Sequence, residues 1–297
     1  ITSRDFRIMI LSKIRNTLKK IFIYLPIPNK NIYCLFFNLY SLLAGSSSRI
    51  FYKDGFYYFK DRKWKFYHRK QGAYAYLKGL KKRGLELKST YLINDLKFNS
   101  NDVIIDCGAN NGDFYLCFCE KIEYIGIEPS PIVFSNLQFN VQGQLLINKG
   151  LWKSNEKEID FYLSDEGGDS SIIPIKNYTK KITIGTVTLD DVIDQINKNI
   201  KLIKLEAEGS EPEILEGLKK NISKVEYISM DVGYERGINQ ESTLAPCVNY
   251  LSHNGFKIIE FKYSINRIVI LLKNTKVNPK SKKIEVVPPH GFEPRTY

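Results

Sequence analysis

The feature that most constrains this chain is the stretch Val103-Ile-Ile-Asp-Cys-Gly-Ala-Asn-Asn-Gly-Asp-Phe114, together with the Gly126-Ile-Glu-Pro-Ser130 that follows it. The first begins as a short apolar run, meets an acid, turns on a glycine and opens a new periodic run. That is the pattern of a buried strand handing over to a helix, expected here from about Gly112 to Glu120. The second segment is another strand that ends on an acid. Asp106 and Glu128 stand 22 positions apart, close to the roughly 20 residues between the turn and the ribose-binding acid of a nucleotide-binding βαβ unit. Gly108 lets the chain bend tightly, and Gly112 lets backbone or ligand approach without a Cβ in the way. The helix start turns its positive end toward whatever lies above the strand.

A tight strand-to-helix turn with no ligand would share much of this pattern, so the chemistry of the turn has to choose. A dinucleotide loop sets an anionic pyrophosphate against the bend, where a carboxylate is unwelcome, yet Asp106 directly precedes the first glycine. A carboxylate there suits a positive group such as the α-ammonium of a methionine moiety. The helix N-terminus can hold that moiety's carboxylate, and Glu128 can take ribose hydroxyls. This combination describes S-adenosylmethionine better than NAD.

The rest of the chain fits around that unit. Its 297 residues allow one large α/β domain with an appendage. Five cysteines without a C-x-x-C pair give no disulfide framework, and Cys117 and Cys119 would point to different faces of a helix. They read as small core residues of a cytoplasmic protein. Charge is uneven: residues 1–100 carry 21 Lys/Arg against 5 Asp/Glu, a net +16, and the other 197 carry 23 against 27, a net −4. The basic third suits an anionic partner, whether membrane surface, nucleic acid or substrate; a plain solvated surface accounts for it equally well.

Three parts are expected: a basic N-terminal extension over 1–99, a catalytic domain over 100–275 and a disordered tail over 276–297. In the extension, Arg4 to Tyr24 has the spacing of a basic amphipathic helix, ended by Pro26 and Pro28. The apolar run Ile32 to Ala44 is too short to span a bilayer. Residues 4–44 could pack on the core or a partner subunit, or rest peripherally on the inner face of a membrane. Lys53-Asp-Gly55 marks a β-hairpin, with a third strand near Trp64 to Tyr67 and basic residues Lys60, Arg62, Lys63, Lys65, Arg69 and Lys70 interleaved. Short helices are expected at Gly72–Lys82 and Ser89–Leu96.

From residue 102 strand and helix alternate, as in a parallel sheet covered on both faces. Strands are expected at Leu145–Trp152, 157–163, 181–188, Leu202–Glu206 and Glu226–Val232, and helices at Ser130–Asn140, Glu211–Lys220 and Glu241–His253. The last two strands, Phe256–Tyr263 and Arg267–Lys273, are joined too closely for a parallel crossover and must be antiparallel. The tail, with Pro279, Pro288, Pro289 and Pro294, lacks periodicity.

Taken together, Asp106-Cys-Gly-Ala-Asn-Asn-Gly-Asp-Phe114, Gly126-Ile-Glu-Pro-Ser130, Asp169-Ser-Ser171, Thr186-Val-Thr-Leu-Asp190 and Leu202-Ile-Lys-Leu-Glu-Ala-Glu-Gly-Ser-Glu-Pro-Glu-Ile-Leu215 resemble the FkbM family of S-adenosylmethionine-dependent methyltransferases. The first two segments would fit many such enzymes; the last is the specific one. The resemblance implies a Rossmann-like, mostly parallel seven-stranded sheet with one antiparallel strand at its C-terminal end and helices on both faces. It implies O-methylation, often of sugars. It places the methionine end of the cofactor near Asp106, Gly108, Asn110, Gly112 and Phe114, ribose at Glu128, and adenine near Pro129 and Leu151. Glu206 replaces the family's usual aspartate and Asp231 its usual glutamate, moving each charge by one methylene.

Ligands of open α/β sheets bind beyond the carboxyl ends of the strands, which draws Glu206, Glu208 and Asp231 toward the transferring methyl. A sugar hydroxyl is a weak acid and needs a base as it attacks; Glu206 or Glu208 is expected to serve, then Asp231. The same acids could instead cap the helix at Glu211 or pair with Lys204 and Arg236. A divalent metal chelating a diol would find acids here, but no spacing demands one. The expected acceptor is a hydroxylated glycan or nucleotide sugar, its anionic part met by the basic third. Two rival readings stand beside this one, a nucleic-acid methyltransferase and a non-catalytic module at a membrane. The first lacks the Asn/Asp-Pro-Pro-aromatic tetrad after the fourth strand, which makes a nucleic-acid acceptor the weaker expectation.

Overall fold

The computed structural model describes residues 29–46, 48–60, 64–66, 72–118, 122–164, 169–264 and 267–277, with Ile14 and Thr17 besides. The expected Arg4–Tyr24 helix, apart from those two residues, lies outside the described residues, as do His68, Arg69, Lys70 and the tail from 278.

The N-terminal module opens with helix α1 (Lys30–Leu43), capped by Asn29, whose side chain accepts from the N–H of Asn31 and Ile32. The hairpin β1 (Ile50–Lys53) and β2 (Phe56–Phe59) follows, with a short β3 (Lys65–Phe66) beside β2. Its turn residues Asp54 and Gly55 have φ of 48° and 85°, the pair of left-handed conformations that a tight hairpin requires. Aromatic packing holds the module together: Tyr57 stacks on Phe66, and Phe37 and Phe59 meet edge to face. Asn140 fastens it to the main domain. Its side chain accepts from Lys65 N at 2.7 Å and donates to Lys65 O at 2.6 Å and Asn111 O at 2.7 Å.

The main sheet has seven strands in the order β15-β16-β12-β11-β4-β5-β6: Phe256–Ser264, Arg267–Asn274, Val225–Asp231, Ile200–Leu205, Val103–Cys107, Glu123–Ile127 and Leu145–Ile147. All neighbours pair in parallel except at β16, antiparallel to both β12 and β15. The seven-stranded, one-strand-antiparallel expectation is met. Side chains alternate across the sheet as the pleat demands. Val103, Ile105 and Cys107 join one core with Val192, Ile214 and Leu251, while Ile104 joins the opposite core with Leu87, Phe114 and Leu137. Leu87, Tyr91, Leu92 and Ile93 therefore belong to the core of the main sheet although they precede residue 100.

Several boundaries differ from the sequence reading. The helix expected at 112–120 is a single 3-10 turn, Asp113–Cys117, closed by Phe118 in extended conformation. In place of helices at 72–82 and 89–96 there are a 3-10 turn, Gly72–Tyr76, and helix α2 (Leu80–Thr90); Gly79 at φ 87° and Leu92 at φ 59° break the runs. Helix α3 (Pro131–Asn140) stands as expected. The strand expected at Leu145–Trp152 splits into β6 and β7 (Gly150–Leu151), because the Asn148 side chain binds the carbonyls of Glu128 and Pro129 and draws the chain off the sheet. β7 pairs with β10 (Thr186–Val187), beside the antiparallel excursion β8 (Ile159–Leu163) and β9 (Lys180–Ile184). Helix α4 (Leu189–Ile196) was not expected, although Thr188 caps it by accepting from Asp191 N. Helix α5 (Glu211–Glu216) stops early since the Asp190 carboxylate takes the N–H of Lys219, Lys220 and Asn221. Glu241–Ser242 forms β14 against β13 (Tyr234–Arg236), so helix α6 begins only at Leu244 and runs to His253.

Candidate active site

A cavity of about 460 Å³ opens at the carboxyl ends of β4, β5 and β11, where ligands of open α/β sheets bind. Its size lies within the ~300–1,000 Å³ of small-molecule sites. Most of the wall comes from the glycine turn and from the segments after β5 and β11; the N-terminal module adds Tyr76, Arg83 and Tyr91. Those residues are tied down. The Tyr76 hydroxyl donates to Asp113 Oδ1 at 2.5 Å, and Arg83 Nε donates to Asp113 Oδ2 at 3.0 Å.

The turn itself is shaped by two glycines with different tasks. A Cβ on Gly108, at φ 75°, would lie 2.1 Å from the Glu206 carbonyl oxygen, so glycine is what lets the turn and the β11 exit touch. Gly112 was expected to clear space for a ligand. A Cβ there would instead meet Val141 Cγ2 at 2.6 Å and Leu137 Cδ1 at 3.0 Å, so its role is to let α3 close on the turn. Asn110, at φ 48°, donates its backbone N–H to Glu128 Oε2 at 3.0 Å, and Ser130 N donates to Oε1 at 2.8 Å. Two backbone donors thus fix the Glu128 carboxylate on the cavity wall, with one lone pair on each oxygen unused by them. Burial pushes this carboxyl up to about 7, against the lowering effect of those N–H groups. Asp106, Gly108, Asn110, Phe114, Glu128, Pro129 and Leu151 all line the same cavity, as do Glu206 and Glu208; Gly112 and Asp231 do not.

Beneath the cavity lies a buried ionic floor, in which the alternative read from the sequence, an acid after β11 paired with Lys204, holds for Glu206, while the partners Asp106, Tyr91 and Arg267 were not foreseen. Lys204 Nζ stands 3.1 Å from Asp106 Oδ1 and 3.4 Å from Glu206 Oε2, and donates to Gly108 O at 2.8 Å. Burial would lower this ammonium's pKa, but Asp106, Tyr91 and Glu206 hold it well above the ordinary lysine value. Tyr124 donates to Asp106 Oδ2 at 2.5 Å. Asp106, expected to receive a ligand's cation, already has an internal one. Glu206 accepts from the Tyr91 hydroxyl and, at 2.6 Å, from Arg267 Nη2. Arg267 Nε also reaches Asp231 Oδ2 at 2.5 Å. Burial would raise the Glu206 carboxyl, but Lys204, Arg267 and Tyr91 hold it down to about 2. A carboxylate so held is a poor proton acceptor. Glu206 is thus paired with both Lys204 and Arg267, and Asp231 with Arg267 alone; burial raises the Asp231 carboxyl against the lowering effect of Arg267. The one sequence signal was a lysine inside the apolar strand Leu202-Ile-Lys-Leu205.

The opposite wall carries Asp169, Glu208 and Glu235. Neither Glu208 nor Glu235 has a side-chain hydrogen bond or ion pair among the described residues. Burial, then neighbouring Glu235, raises the Glu208 carboxyl well above its usual range; burial, then Asp231, pushes Glu235 up to about 8. Carboxyls with raised pKa in a cleft are candidates for general acid–base work. Glu208 holds a left-handed backbone at φ 50°, and the Ser171 hydroxyl donates to its carbonyl at 2.7 Å. Ser210 also lines the cavity, and its buried Oγ has no hydrogen-bond partner among the described residues. Glu235 and Ser210 were given no role from the sequence, and Ser171 entered only as the end of the motif Asp169-Ser-Ser171. Glu235 could have been found as an acid just past the end of β12. Arg236 is paired bidentately with Glu213, and Glu211 folds back to accept from Ala207 N and Gly209 N. Among the described residues no group of three or more His, Cys, Asp or Glu is placed to hold a metal ion.

The profile of the Methyltransferase FkbM domain matches residues 106–258, about half of the chain. No curated protein sequence matches significantly. Solved structures with a similar arrangement include a ribosomal protein L11 methylase from Lactobacillus delbrueckii subsp. bulgaricus, 12% identical over 66% of this chain and 77% of that one, TM-score 0.36. Another is a magnesium protoporphyrin IX methyltransferase from Synechocystis PCC 6803 with bound SAM, 10% identical over 66% of this chain and 79% of that one, TM-score 0.38. At these scores the likeness carries no functional weight, and the fold rests on the strand order above.

Proposed function

The chain belongs to the FkbM methyltransferase family, and on that premise we propose that it methylates a hydroxyl group of a sugar or comparable polyhydroxylated acceptor. S-adenosylmethionine is the cofactor; when bound it supplies an electrophilic methyl group on a sulfonium. The residues present fit it. Glu128 offers two fixed carboxylate oxygens to vicinal ribose hydroxyls, while Asn110, Pro129 and Leu151 adjoin that end. Ser210 Oγ, without a hydrogen-bond partner among the described residues, gives the cavity a further polar contact that a ligand can satisfy.

The observation that carries the acceptor reading is the pair Glu208 and Glu235, two carboxyls on the cavity wall without a side-chain hydrogen bond or ion pair among the described residues. In this proposal they receive the acceptor's hydroxyl hydrogens, orient the attacking oxygen and take its proton at a carboxylate oxygen. The same acids disfavour an anionic group deep in the cavity. A phosphate-bearing or lipid-linked acceptor would keep its charge outside, near the lysines and arginines of the N-terminal module, on the cytoplasmic side of a membrane.

The test is transfer of labelled methyl from S-adenosylmethionine to nucleotide sugars, free glycans and RNA offered in parallel. Label is expected in a glycan-bearing acceptor. Glu235→Gln should lower kcat by about a hundredfold and leave the cofactor Kd unchanged. Label entering only RNA would overturn the acceptor reading. An unaltered kcat in both Glu235→Gln and Glu208→Gln would overturn the assignment of the base.

A further inference from the structure

Helix α1 is apolar on two sides. Its inner side, Tyr33, Cys34, Phe37 and Tyr40, is buried in the module's own core. Its outer side presents Ile32, Leu35, Leu39 and Leu42, exposed by 47%, 67%, 43% and 61%. At ~100° per residue these four fall within about 80° of arc, one stripe along the helix. A helix needs only one apolar face to pack on its own domain, and a second contiguous one marks a contact with something else.

Charge selects the occupant. The residues leading into α1, positions 1–28, carry six Lys/Arg against one Asp, and the first 100 residues have a net charge of +16. Two copies meeting on this face would bring like charges together, whereas an anionic lipid surface would attract both the lysines and the stripe. No helix among the described residues is long and apolar enough to cross a membrane; α1, with 14 residues, is about 21 Å long against a hydrocarbon core of about 30 Å. We propose that the stripe Ile32, Leu35, Leu39 and Leu42 seats α1 in the interfacial plane of a bilayer containing anionic lipid, with the adjoining basic segment bound to the headgroups.

The docking itself rests on α1 and stands apart from the methyl-transfer reading.

Co-sedimentation of the full chain with vesicles tests it. Binding is expected to equimolar phosphatidylcholine and phosphatidylglycerol, weakened by salt, and not to phosphatidylcholine alone. The double variant Leu35→Ser/Leu42→Ser, altered at two exposed positions outside the cavity, should bind these vesicles about tenfold more weakly with its S-adenosylmethionine affinity unchanged. Leu35→Trp should be quenched by brominated acyl chains. The proposal is overturned if the wild-type chain ignores anionic vesicles, or if the double variant binds them as well as wild type. It is also overturned if the variant's only effect is to dissociate a dimer or to free residues 1–28 for proteolysis, which would assign the stripe to a second copy or to the chain's own N-terminus.

Discussion

Ser171 braces the backbone of Glu208, one of the two acids proposed as the base. Its hydroxyl holds the Glu208 carbonyl at 2.7 Å, where the Glu208 backbone sits at φ 50°, a conformation that costs a non-glycine residue about 1 kcal/mol or more. Without that bond the backbone is free to relax and the carboxyl leaves its place on the wall. Ser171→Ala is therefore expected to lower kcat about tenfold with the cofactor Kd unchanged, and Ser171→Thr should restore most of it. A loss of stability without a change in kcat would show that Ser171 only braces the excursion. The contrast with Glu206 is instructive. Both acids follow β11 and both were candidates for the base, but Glu206 meets Lys204, Arg267 and Tyr91, while Glu208 meets none of them.

At the scale of elements, the motif Thr186-Val-Thr-Leu-Asp190 acts as a structural clamp. Thr188 caps α4, and Asp190 accepts three successive N–H groups, from Lys219 at 3.0 Å, Lys220 at 2.9 Å and Asn221 at 2.8 Å. Asp190→Ala should destabilise the fold by about 2 kcal/mol, as expected for bonds to a charged acceptor, and Thr188→Ala by about 1 kcal/mol. Urea unfolding of both variants checks this, and equal stability of Asp190→Ala and wild type would refute the clamp. The sheet strands were legible because a continuous apolar run of strand length is a local signal, and the central strands are buried on both faces. The helix ends were not. Glu211 to Lys220 reads as one helix until a carboxylate 29 or more positions away takes its last N–H groups. Likewise Asp106 was legible as a site residue, but its cation, Lys204, lies 98 positions on and meets it only through β4–β11 pairing. Spacing shows which residues reach the strand ends; the partner each acid finds there is a tertiary fact.

For the whole molecule, the cavity stores unfavourable charge. Glu128 and Glu235 titrate near 7 and 8 in the folded chain, above the ordinary glutamate value of 4.5. A raised folded pKa means the native state holds these protons more tightly. The stability they contribute is present below the unfolded pKa and is lost as pH rises through the folded pKa values. Tm should fall as pH rises from about 4.5 to about 8 and level off above that, and Glu235→Gln should flatten that fall; a wild-type Tm that rises over this interval would contradict the assignment. Glu206, held near 2, has the opposite sign and loses its contribution only in strong acid. The molecule as a whole fastens a basic, aromatic module to the main domain through Asn140 and fixes Glu128 between two backbone donors on the cavity wall. If this cavity is the cofactor site, calorimetric titration of S-adenosylmethionine into the full chain and into Glu128→Gln measures it directly. Saturable one-site binding to wild type is expected, weakened about tenfold or more in the variant. No binding, or equal affinity in the two proteins, would contradict it.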